Sequence, residues 1–358
     1  MKVALKLVGL FFLTLAMTAA PLFGIITHGG KNAFFENWSP EQEFTEDYAF
    51  EVEKKPAKDF VVLNFTDIQL HNDEDVGEAG ELAWGTVDRL VKELKPDLIT
   101  LTGDNAWQFL AYNDLIRQLD GYGIPWAPVM GNHDGQGTPS EFWCAYNLAK
   151  AKNCLFKFGP KDMGYGNYII NITEGGEIIH TLFMMDTHSD IEEDGVNGKK
   201  DSGYDNIWPN QMEWYQWAVK GIEKLRGETV ESSIFIHIPL YEYRLAWNEA
   251  TDGNGNFVGE YAGTSFGVKH EGVCSAPENN GFFSVLQDLG STKNVLCGHD
   301  HINNYSIPYQ GIRLTYTLKT GSGCYWEPEL SGGTTLSIAS DGSATVQHHY
   351  VDPASVIG

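Results

Sequence analysis

Five short blocks of the chain concentrate carboxylates, carboxamides and imidazoles. They are Thr66-Asp67-Ile68-Gln69-Leu70-His71, Thr102-Gly103-Asp104-Asn105, Gly131-Asn132-His133-Asp134, Ile236-His237-Ile238-Pro239 and Cys297-Gly298-His299-Asp300-His301. These groups share one chemistry: each offers an oxygen or nitrogen lone pair to a hard or borderline cation. Pooled, they suffice for two divalent ions with a shared carboxylate, an arrangement that activates water and holds an oxyanion. A lone aspartate at a strand end is usually a helix cap or a turn residue. Five metal-compatible blocks in one chain are not five caps.

Each block closes an apolar run that reads as a strand: 60–66, 98–102, 124–130, 232–236 and 293–297. Ligands in open α/β sheets gather at that carboxyl end. Between the strands, Ala83, Val87, Leu90, Val91 and Leu94 recur at helical spacing, and Pro96 closes that helix. Further helices are expected over 112–119, over 140–152 with Ser140 as cap, from Pro209 through Leu225, and over 282–289. A hairpin turns at Glu174-Gly175-Gly176, and strands over 312–318, 334–338 and 345–351 close the chain, the last two joined at Asp341-Gly342. One α/β domain over 58–351 accommodates all of this, behind an irregular lead-in over 28–57. The stretch 241–277, rich in Gly, Asn and aromatics, is expected to shape the pocket.

The chain has 358 residues, 42% of them hydrophobic and 13% aromatic, which supports a sizeable core and argues against disorder. Its formal net charge of −24 repels phosphate backbones, so nucleic acid is not expected as a partner. A small anionic substrate fits if local cations bind it. Lys2 and Lys6 precede an uncharged run over 7–27, which reads as a secretory signal peptide or an uncleaved membrane anchor. Either one exports the chain to a secreted, periplasmic or lumenal location. Export makes two disulfides an expectation, Cys144 with Cys154 and Cys274 with Cys324, while Cys297 ends an apolar run as a buried thiol. Glycosylation sequons begin at Asn37, Asn64, Asn171 and Asn304, with Asn64 inside a strand.

The order of the five blocks resembles the calcineurin-like metallophosphoesterases, in the branch of plant purple-acid-phosphatase-like proteins and related fungal phosphatases. Gly203-Tyr204-Asp205, His237-Ile238-Pro239-Leu240 and Asn280-Gly281-Phe282-Phe283 add to the likeness, which runs from about residue 58 to 327. The resemblance implies an α/β sandwich of two mixed β-sheets flanked by helices, with a binuclear metal centre of Fe, Mn or Zn between the strand ends. It assigns Asp67, Asp104 and His301 to a first metal, and Asp104, Asn132, His237 and His299 to a second, with Asp104 as the bridge. It places His133 beside the metals as the catalytic residue, protonating the leaving group or stabilising the phosphoryl group. It leaves Asp134 to orient His133 or cap the next helix, and Asp300 to support rather than ligate. The implied function is metal-dependent hydrolysis of phosphoric esters, chiefly phosphomonoesters, by hydroxide at the two-metal centre. The same centre would serve a phosphodiesterase. The alternative of another class is an exported binding protein with a degenerate metal site, against which the retained histidines argue.

Two positions depart from the pattern. Gln69 stands where the family usually has a first-metal histidine, and an amide oxygen is a neutral, weaker donor. Asp67, Gln69 and His71 are spaced by two, so in extended backbone they share a side. Either Gln69 coordinates and His71 contacts substrate at the rim, or His71 supplies the missing imidazole. The second option moves the ligand about 7 Å along the strand. Gln69 is therefore the expected metal ligand and His71 the substrate-binding residue. Asp104-Asn105-Ala106-Trp107 lacks the tyrosine of purple acid phosphatases, so no purple chromophore is expected.

Overall fold

The computed structural model describes residues 30–71, 78–191 and 203–357. In chain order its strands are β1 (Ala49–Glu53), β2 (Phe60–Phe65), β3 (Leu98–Thr102), β4 (Trp126–Val129), β5 (Tyr168–Glu174), β6 (Glu177–Met184), β7 (Ser232–Phe235), β8 (Thr292–Cys297), β9 (Ser306–Tyr309), β10 (Ile312–Tyr316), β11 (Gly332–Ile338) and β12 (Ala344–Tyr350). The α-helices are α1 (Glu78–Leu94), α2 (Phe109–Gly121), α3 (Glu141–Leu148), α4 (Pro209–Arg226), α5 (Glu242–Ala250) and α6 (Phe282–Leu289). The strands form a five-stranded sheet, β12-β11-β2-β3-β4, and a seven-stranded sheet, β1-β5-β6-β7-β8-β10-β9. Both are mixed. β2, β3 and β4 run parallel, as do β6, β7, β8 and β10.

Alternation along the strands builds two cores. On β7 and β8, Phe235 and Leu296 face the space between the sheets, joining Val62 and Val129 of the other sheet. Their neighbours Ile234 and Val295 face outward and pack with Trp214, Tyr215 and Phe282 of α4 and α6. β3 is buried at every position, as a parallel strand covered on both faces must be. Ser140 caps α3, its hydroxyl accepting from Trp143 N at 3.3 Å. At Gly175-Gly176 both residues take positive φ, 63° and 83°, the twist that a tight hairpin between β5 and β6 needs.

Several expectations need correction. The stretch 28–57 is not wholly irregular: Ala49-Phe50-Glu51-Val52-Glu53 pairs in parallel with β5, and Phe44 is buried in the outer core. The acidic run there hides a period-two alternation suited to an edge strand. α5 lies inside the stretch 241–277 expected to shape the pocket, where no helix was expected, and β9 was not foreseen. All five cysteines are free thiols, so the expected disulfides are not formed. Cys144 is buried on α3 with its thiol donating to Asp134 O at 3.4 Å, and Cys274 turns its thiol toward Gly272 O at 3.6 Å. Among the sequons Asn37 is exposed, while Asn64, Asn171 and Asn304 are buried. The expected signal or anchor over 1–27 lies outside the described residues. Among those described, no helix is long and apolar enough to cross a membrane.

Candidate metal centre

Parallel strands bring the five blocks together. β2, β3 and β4 of one sheet and β7 and β8 of the other direct their carboxyl ends to one place, and Asp67, Asp104, Asn132, His237 and His299 each follow within a few residues. The backbone there is under constraint. Asp67, Gln69, Asp104 and His299 take φ of 49°, 50°, 51° and 76°, a left-handed region that costs a non-glycine residue roughly 1–3 kcal/mol. The stretch 67–71 is thus not extended, and the expectation that Asp67, Gln69 and His71 share a side does not hold. Two glycines permit the close approach: a Cβ on Gly298 would overlap the Thr66 hydroxyl and crowd the Asp67 carboxylate, and one on Gly131 would overlap Asp104.

Lone pairs converge around Asp104. Its Oδ1 lies 3.3 Å from His237 Nε2, which also faces Asn132 Oδ1 at 2.9 Å and His299 Nδ1 at 3.3 Å. His237 Nδ1 donates to Thr102 O at 2.7 Å, so the ring presents Nε2 to the cluster. On the other side, His301 Nε2 lies 3.3 Å from Asp67 Oδ1, and Asp67 Oδ2 accepts from Thr66 Oγ1 at 2.8 Å and His299 N at 3.0 Å. Ligand atoms of Asp67, Asp104 and His237 all lie within 4.8 Å of one another. Burial alone would raise the Asp67 carboxyl. His301, His237 and Lys319 beside it more than cancel that and hold it well below the usual range. Burial, with His237 next to it, pushes His299 well down and keeps it neutral. Burial also works against charge on His237, but Asp104 and Asp67 outweigh it and raise its pKa.

His133 stands at the edge of the cluster. Its backbone N donates to Asp104 Oδ1 at 2.9 Å, its Nδ1 faces Gln136 Oε1 at 2.6 Å, and its Nε2 is 3.9 Å from Asp104 Oδ2. Trp107 meets it edge-on, with ring centroids 5.1 Å apart, and packs at 3.9 Å against His71 on its other side. His71 therefore sits at the rim. It lines a cavity of about 200 Å³ with Gln69, Leu70, Ser322 and Cys324. Among the described residues Asp134 makes no hydrogen bond to His133's ring and caps no helix. It accepts from Gly131 N, Asn105 N, Asn105 Nδ2 and Tyr112 Oη, tying two of the blocks together. Burial and the nearby Asp104 raise it to about 6. Asp300 accepts from Cys274 N and the Tyr316 hydroxyl behind the cluster, and burial raises it to about 6.

Sequence reasoning missed Lys319 and Tyr325. Lys319 is 4% exposed, and its Nζ donates to Asp67 O at 2.9 Å and Gln69 Oε1 at 2.8 Å. Burial lowers it to about 8, with Asp67 and Asp104 opposing. A lysine in the Thr-Leu-Lys-Thr that follows β10, in an otherwise uncharged stretch, was the available signal. Tyr325 O accepts from His301 Nδ1 at 2.8 Å, and its ring stacks on that imidazole at 4.3 Å. A backbone carbonyl leaves no trace in residue type.

The two sides of the cluster differ in fitness for a cation. Around Asp104, Asn132, His237 and His299, acceptors face acceptors, an arrangement that a bound cation resolves. Among the described residues, His299 Nε2 and Asp67 Oδ1 are buried without a hydrogen-bond partner. Gln69 does not fit its expected part. Its oxygen faces the Lys319 amine, a donor, so the amide turns its nitrogen inward, 3.1 Å from Asp104 Oδ2 and 3.2 Å from His301 Nε2.

Residues 60–303 match the family model described as calcineurin-like phosphoesterase. The chain is 30% identical over 257 residues to "Probable inactive purple acid phosphatase 14" of Arabidopsis thaliana, covering 64% of this chain and 60% of that protein. It is 30% identical over 228 residues to phosphatase DCR2 of Saccharomyces cerevisiae, covering 60% of this chain and 37% of that one. The chain thus spans less than two thirds of either relative's length. A dimetal phosphatase from Danio rerio shares the fold, with a TM-score of 0.51 at 12% identity over 81% of this chain and 96% of that one. The family match spans more than half of the chain and takes in all five blocks, and on that match the chain belongs to the calcineurin-like phosphoesterases.

Proposed function

We propose that this chain hydrolyses phosphoric esters, phosphomonoesters above all, at a metal-dependent centre built from Asp67, Asp104, Asn132, His237, His299 and His301. The observation that carries the reading is the convergence of five strand-end blocks from two sheets, with Asp104 and His237 side chains 3.3 Å apart at the middle. Those residues would hold divalent cations, which would supply Lewis acidity toward water and the phosphoryl oxygens. The protein's own residues do the rest. Asp104 presents both carboxylate oxygens to the cluster, held by His133 N and Gln69 Nε2. Thr102 O fixes the His237 tautomer and Tyr325 O that of His301. His133, with Nδ1 on Gln136, turns Nε2 toward the site, where its protonated form can hand a proton to the departing alcohol oxygen. Trp107 and His71 wall the approach beside His133.

A non-catalytic binding role is the second reading. It is favoured by the inward amide of Gln69 and by the plant relative's name, which calls that protein probably inactive. Turnover of a chromogenic phosphomonoester and of the matching diester, after loading with Mn, Fe or Zn, separates the readings. Monoester turnover above diester turnover supports the proposal. The reverse order makes the chain a phosphodiesterase. No turnover of either, with metal bound, leaves the binding role.

A further inference from the structure

We infer that Gln69, pinned by Lys319, plugs the Asp67–His301 side of the centre, so that the chain holds one cation tightly and a second only weakly. The inference rests on the metal-dependent reading above and departs from its two-ion form. The lysine amine donates to two oxygens, Asp67 O at 2.9 Å and Gln69 Oε1 at 2.8 Å. An amide whose oxygen is held on one side must present its two N–H groups on the other. One N–H meets Asp104 Oδ2 at 3.1 Å. The other meets His301 Nε2 at 3.2 Å. His301 Nδ1 faces the Tyr325 carbonyl, which only accepts, so Nδ1 carries a ring proton and Nε2 is the nitrogen turned toward the amide. The amide hydrogens therefore cover two of the lone pairs that a cation on this side would need.

The plug is held from three directions. Gln69 N donates to Asp104 O at 2.9 Å, its φ of 50° fixes the side chain's departure, and Gly323 is packed so closely that a Cβ there would come 2.9 Å from Gln69 Cβ. Charge points the same way. Lys319 sets one buried positive charge against the carboxylates of Asp67 and Asp104, so a second divalent cation meets less negative charge than the first. On the opposite side, among the described residues, no side-chain amide or amine donor intrudes among Asn132 Oδ1, His237 Nε2 and His299 Nδ1, and the donor to Asp104 Oδ1 there is the backbone N of His133. Lys319 acts through Gln69 and is a positioning residue.

Metal content tests this directly. The full chain is equilibrated with excess Mn or Zn, freed of unbound ion by gel filtration, and measured by elemental analysis. About one ion per chain is expected for the wild type, and about two for Gln69→Glu, which keeps the shape and the Lys319 contact but replaces both N–H donors with a carboxylate oxygen. Gln69→His with Lys319→Met should also reach about two. The second ion of Gln69→Glu, titrated separately, should bind at least about tenfold tighter than in the wild type. Two ions retained by the wild type would overturn the plug. So would a single ion in the wild type and in both variants. No ion in the wild type and none in either variant overturns the metal-dependent reading itself, and the plug with it.

Discussion

At the scale of single residues, the site is a set of donors whose lone pairs are aimed by contacts that motif reading sees unevenly. Asp104, Asn132, His237 and His299 carry their chemistry in their residue types, and their spacing after apolar runs marks them in the bare chain. Lys319 does not announce itself, because it lies 18 positions past the last block and acts by holding an amide oxygen. Gln69 was legible as a departure but not as a donor facing inward, since amide orientation is decided by a residue some 250 positions away. His133 carries the clearest residue-scale prediction. Its side chain is a third exposed and reaches the cluster only at 3.9 Å, so it belongs to the approach rather than to the cation-holding set. His133→Ala should leave metal content unchanged and lower kcat by about 10²–10⁴-fold for an alkyl phosphate. For a nitrophenyl phosphate, whose leaving group needs no proton, the loss should be far smaller. An equal loss for both would remove the acid role and leave a merely structural histidine.

At the scale of elements, what can be read from the chain is the strand followed by its polar block. β3 and α6 stand where apolar pattern and punctuation place them, Leu98–Thr102 and Phe282–Leu289. β1, β9 and α5 were hidden for different reasons. β1 is an edge strand inside an acidic run, β9 is four residues long, and α5 lies in a stretch whose glycines and asparagines suggest loop. Which sheet each strand joins is a tertiary fact, and it decides that Asp67 of one sheet meets His301 of the other at 3.3 Å. Gly298 is the point of nearest approach. Its missing side chain lets the loop after β8 lie on Thr66 and the Asp67 carboxylate, at the end of β2. Gly298→Ala should force the two strand ends apart, at a cost of about 1–3 kcal/mol. A lowered thermal midpoint should come with loss of bound metal. An alanine variant with wild-type melting and full metal content would mean that the two sheets have slack at this junction.

At the scale of the whole molecule, charge dominates. The chain carries a formal net charge of −24, and its proposed substrate is an anion. Cations in the centre attract that anion at contact range, but on approach it meets the field of the entire surface. A short-range attraction and a long-range repulsion therefore oppose each other, and distance separates them. Near about 0.01 M salt the screening length is about 30 Å, so the whole surface acts on the substrate; near 0.15 M it is about 8 Å, and little beyond the site mouth is felt. Removing a repulsion that extends farther than the attraction should raise the association rate. For a monoester dianion, kcat/KM should climb by roughly tenfold over that range in a salt that does not bind the metals. A singly charged diester should gain much less, since the repulsive energy scales with substrate charge. That contrast separates screening from any effect of salt on the fold, which would move both substrates alike. A kcat/KM for the monoester that stays flat or falls as salt is added would show that the centre's own positive charge governs encounter, against the net charge of the chain.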